Sequence, residues 1–96
     1  TITTATRELR QRLRKSKMAH ASLSDELHRC HFERWLISQL VKAAESVQER
    51  DDWECEEAAL ECLTLNHQRQ LEMLSLDIRR LERLLELAKR QAAAKT

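Results

Sequence analysis

The sequence predicts an all-α fold, an antiparallel hairpin of long, coiled-coil-like helices. Three observations carry that expectation. Neither glycine nor proline occurs in the 96 residues, where an average chain would carry roughly eleven of the two together. Glycine supplies the positive φ of tight turns and proline breaks helices, so the usual punctuation of turns and strand ends is missing. What remains is rich in Leu, Ala, Glu, Arg, Lys and Gln, all strong helix formers. Finally, apolar residues recur in alternating steps of four and three, the spacing of a helical seam.

The first element is a basic helical segment over residues 1–20. Arg7, Arg10, Arg12, Arg14, Lys15 and Lys17 are opposed there only by Glu8, a net charge of +5. Side chains so placed can neutralise phosphates or meet an acidic protein surface. The alternation of Arg with Leu also suits a solvated helix face. Ser22-Leu23-Ser24-Asp25-Glu26 has the composition of a helix start, with Ser22 or Ser24 as N-cap. Two versions stay open at this point. Either a short first helix ends near Met18, or one helix runs from about Ala5 to Glu49.

The second element is a helix over 23–50. Its seam is Leu23, Leu27, Cys30, Arg34, Ile37, Val41 and Ala44, and the same phase extends backwards through His20, Ser16, Leu13, Leu9, Thr6 and Ile2. A further stripe of Leu36, Leu40, Ala43 and Val47 widens the apolar arc, as if the helix were gripped from two sides. Trp35 shares a face with His28 and His31, away from the seam, and Phe32 is expected nearer the core. Aromatic residues on a solvent face are enriched at protein contacts.

The turn is expected at Arg50-Asp51, because Asp51 and Glu54 have the spacing of a capping box. Asp51 to Cys62 carries six acids and no base, which suits the positive end of a helix dipole. The third element is then a long helix over 52–93, with the seam Trp53, Glu57, Leu60, Thr64, His67, Leu71, Leu74, Ile78, Leu81, Leu85, Ala88 and Ala92. A small-residue stripe of Cys55, Ala58, Ala59 and Cys62 lies beside it, suited to a third helix of the same chain or to a partner. Arg79 to Thr96 is basic again, at +4. In such a hairpin the two basic regions share the open end.

These elements make one helical domain over 1–96, with three-helix packing in one chain or four-helix packing in a dimer. If the second helix starts at Leu23, it reaches only to about residue 80 of the last one. Leu81, Leu84, Leu85, Leu87 and Ala88 would then overhang and need a cover.

Composition excludes several functions. The longest apolar runs are three residues, such as Trp35-Leu36-Ile37, too short for a membrane span or a signal-peptide core. A cytoplasmic protein is expected. Three cysteines without a secretion signal suggest reduced, buried thiols. His28, Cys30 and His31 lack the close ligand pairs of a structural zinc site, so no metal or other cofactor is expected. Phosphate loops and nucleophile elbows need glycine, so the chain reads as non-enzymatic.

The leading expectation is an interaction module, an adaptor or regulator that binds and modulates a larger protein assembly. Leu81, Leu84, Leu85, Leu87 and Ala88, with Trp35 and His31, are its candidate contacts. Its size, charge layout and lack of catalytic motifs suit an accessory factor of phage or plasmid type acting on host DNA-processing machinery. The alternatives are a nucleic-acid-binding helical dimer, using Arg7, Arg10, Arg12, Arg14, Lys15 and Lys17, and a structural homo-oligomer.

Overall fold

A computed structural model describes residues 2–94. They form two helices, α1 (Ile2–Ala43) and α2 (Val47–Ala94), joined by residues 44–46 into an all-α helical hairpin. α1 runs unbroken through Ser22–Glu26, so the short first helix ending near Met18 does not form. A serine can cap a helix that begins after it, but it does not stop one already running. No glycine or proline stands there to do so.

The turn lies several residues before Arg50-Asp51. Ser46 is the N-cap of α2: the Glu49 amide donates to its Oγ at 3.1 Å, and the Glu49 carboxylate accepts from the Glu45 amide at 3.2 Å. The Ser46 hydroxyl therefore caps α2, with the Glu49 carboxylate taking the amide one residue before it, and this start precedes the competing Asp51-x-x-Glu54 pattern. Asp51 and Asp52 fall inside α2, where Asp52 accepts a hydrogen bond from Gln48 at 3.0 Å. Their charge still favours the helix N-terminus. On the α1 side the Ala44 amide closes the last turn on the Val41 carbonyl at 3.4 Å. No described residue has a positive φ, so this turn has no need of the glycine the chain lacks.

Moving the turn changes the partner of every α1 residue. Residues 2–22 now lie against 71–94 and form one compact unit, the terminal unit. Leu23–Gln70 form the other, the turn unit. The expected overhang does not arise, because the basic segment continues α1 and covers the last part of α2.

The seam follows the 4-3 spacing closely. In the terminal unit Thr6, Leu9, Leu13, Leu71, Leu74, Ile78, Leu85 and Ala88 are half-buried, and Leu81 is 0% exposed. In the turn unit Leu23, Leu27, Ile37, Trp53 and Leu60 are half-buried, and Cys30 and Thr64 are buried. Ala92 departs from the pattern and is exposed. The side chain of Ile2, and Lys95, lie outside the described residues.

Some polar groups at the seam are paired across the helices. In the terminal unit Ser16 donates to Asp77 at 3.1 Å, and Ser75 Oγ meets His20 Nε2 at 3.2 Å. In the turn unit His67 Nε2 lies 3.6 Å from a Glu26 carboxylate oxygen, while Thr64 Oγ1 donates to its own helix at the Leu60 carbonyl, 2.8 Å away. The buried His67 Nδ1 has no partner.

Candidate interaction surface

A two-helix hairpin buries one stripe of each helix and leaves the other faces to solvent. The functional question is therefore what those outer faces carry. On α1 the seam phase sets Phe32 directly opposite Cys30 and Arg34. Phe32 is 62% exposed and Trp35 58% exposed. Phe32 thus lies on the outer face, and not nearer the core as its neighbours in sequence suggest. The two rings pair, with centroids 6.2 Å apart and planes tilted by 32°. Ser38 Oγ donates to the Trp35 carbonyl at 2.9 Å. Leu36, Leu40 and Ala43 extend this apolar face along the helix, all exposed, and His28 and His31 stand exposed on the same helix. This second apolar side is left open, and none of the described residues covers it.

The predicted contact residues of α2 separate into two sets. Leu81 is fully buried, and Leu85 and Ala88 are half-buried against α1, because residues 2–22 occupy the place expected for a partner. Leu84 and Leu87 remain exposed. The same outer side of α2 carries exposed Leu65, Met73 and Leu76, which the seam reading passed over. A second phase, offset from the first, was the available signal. Cys55, Ala58, Ala59 and Cys62 are exposed, so of the three thiols only Cys30 is buried as expected.

Charge divides with the units. Arg7, Arg10, Arg12, Arg14, Lys15 and Lys17 are all exposed. Together with Arg79, Arg80, Arg83, Lys89 and Arg90 they give residues 2–22 and 71–94 eleven bases against five acids, net +6. The turn unit has five bases against eleven acids, net −6. Several of these charges pair only within their own helix, as Arg80 does with Asp77 and Arg90 with Glu86 at 3.5 Å. Such exposed pairs contribute little to stability.

No helix is long and apolar enough to cross a membrane, and no three His, Cys, Asp or Glu side chains converge as metal ligands would, both among the described residues. The architecture belongs to the broad class of antiparallel helical hairpins. Beyond that class, comparison with protein-family models, curated proteins and solved structures finds no match.

Proposed function

We propose that this chain is a non-enzymatic protein-interaction module that binds a larger protein assembly through the outer face of α1. The exposed Phe32–Trp35 pair, continued by Leu36 and Leu40, supports this reading. Burying such aromatics gains more than their area alone would give, and aromatic anchors commonly dominate binding energy. Contiguous apolar faces of this kind are uncommon on soluble monomers unless something covers them.

Affinity capture from cells of origin, run in parallel with wild type and Trp35→Ala, tests the proposal. A stoichiometric partner held by wild type should be lost with Trp35→Ala, whose truncation costs about 2 kcal/mol, roughly thirtyfold in Kd. Identical profiles from the two proteins would refute it.

A second reading has its own support. The exposed bases of residues 7–17 share a unit with Arg79, Arg80 and Arg83, a footprint suited to a polyanion. If this face binds DNA or RNA, affinity falls steeply with salt. It should then vanish in Arg10→Glu/Arg12→Glu/Arg14→Glu. Binding indifferent to both would exclude this reading.

A further inference from the structure

The positive charge of the terminal unit sits almost wholly on one of its helices. Residues 2–22 of α1 hold six bases and one acid, Glu8, whereas residues 71–94 of α2 hold five bases and four acids. Two of those acids, Asp77 and Glu86, pair with Arg80 and Arg90 of their own helix. None of the six α1 bases makes an ion pair among the described residues.

Helical phase arranges those bases in two rows. Thr6, Leu9, Leu13, Ser16 and His20 are half-buried and mark the line of α1 that faces α2. At 3.6 residues per turn, the exposed Gln11 and Met18 fall directly opposite that line, on the crest of the helix. Arg7, Arg10, Arg14 and Lys17 run down one shoulder in steps of three and four, while Arg12 and Lys15 stand on the other with Glu8. The first shoulder borders a shallow hollow of about 500 Å³, where Arg10, Arg14 and Lys17 surround Leu13, Met18 and Ala21. Cations around an apolar floor suit a ligand in which charge alternates with less polar surface, as phosphates joined by sugars do.

We propose that residues 7–18 of α1 seat in the major groove of B-form DNA, crest inward, with each row of bases on the phosphates of one strand. This seat rests on the polyanion reading of the same bases and narrows it to one nucleic acid. A helix about 10–12 Å across fits a groove about 12 Å wide. The uncharged crest lets the helix enter, and bases on both shoulders reach both walls, where phosphate contacts fix the position. Glu72 and Glu82, the acids without an ion pair, belong to α2, the helix behind. Two other nucleic acids fit less well. The major groove of an RNA duplex is too deep and narrow for side chains to read. Single strands are held by stacking on aromatic side chains, and Phe32, Trp35 and Trp53, the chain's three aromatic residues, all belong to the turn unit.

Fluorescence polarisation of the full chain with labelled duplex DNA, duplex RNA and single-stranded DNA of one sequence tests the seat. Duplex DNA should bind about tenfold or more tightly than either of the others. Its binding constant should fall with salt at a log–log slope of about −5, from six phosphates at about 0.9 each. Arg10→Ala/Arg14→Ala on one shoulder, and separately Arg12→Ala/Lys15→Ala on the other, should each reduce that slope by about two. All four positions are exposed, and circular dichroism checks that the helices persist. No binding to any of the three nucleic acids would overturn the polyanion reading and the seat with it. RNA duplex or single strand bound as tightly as duplex DNA, or a slope lowered by only one of the two pairs, would overturn the seat and leave the polyanion reading standing.

Discussion

The turn unit and the terminal unit are built from the same two helices yet are held together differently. On α2 the terminal-unit seam is apolar and mostly leucine and isoleucine, closing on the fully buried Leu81, while its α1 side includes Thr6, Ser16 and His20. In the turn unit the seam mixes Arg34, Glu57, Thr64 and His67 among its apolar residues. The difference follows chain topology. Helices leaving a three-residue connection meet at little entropic cost, and a local N-cap at Ser46 fixes the start of α2. Residues 2–22 must find a surface some 50 or more positions away, where loop closure costs more and the seam must supply more. Polar positions in the α2 seam are thus tolerated near the turn. There the exposed Glu26 also meets the seam residue His67 across the helices.

That contrast can be broken by substitution, with stability measured by urea unfolding at fixed protein concentration. Leu81→Ala should have the largest effect, a loss of about 2–5 kcal/mol, because it opens a cavity at the best-buried position of the terminal unit. A cost well under 1 kcal/mol would mean that the leucine seam does not hold that unit. His67→Leu should act in the opposite direction, gaining about 1 kcal/mol. It removes the unpaired buried Nδ1 and makes the turn-unit seam more like the terminal one. A loss of that size would show instead that the Glu26 contact outweighs the orphaned nitrogen. Ser46→Ala should cost about 1 kcal/mol as a lost N-cap. If Asp51→Ala costs more than Ser46→Ala, the cap has been placed at the wrong end of the Ser46–Asp51 stretch.

The seam was legible in the sequence almost residue by residue, from Thr6 to Ala44 and from Trp53 to Ala88. A 4-3 repeat has one phase, and that phase alone decides which side faces the other helix. The turn was harder to read, because Ser46-x-x-Glu49 and Asp51-x-x-Glu54 are both valid capping boxes a few residues apart. Only the fit of one helix against the other separates them. The turn five or six residues earlier shifts each cross-helix partner by about twice as much, whereas the overhang at Leu81 followed from starting the second helix at Leu23 and disappears because α1 runs on from Ile2. Phe32 shows a different limit. Its place on the outer face follows from the seam phase, but what covers that face depends on a molecule outside the chain.

The most direct test asks whether residues 2–22 cover the last part of α2 in the register set by the turn at 44–46. Spin labels at exposed Arg14, Arg79 and Lys89, attached to cysteines in an otherwise cysteine-free chain and diluted with unlabelled protein, report this register by distance. Helices packed about 8–10 Å apart should put Arg14 closer to Arg79 than to Lys89, with the difference set by the 1.5 Å rise per residue. An Arg14–Lys89 distance equal to or shorter than Arg14–Arg79 would contradict the turn at 44–46 and the register it sets.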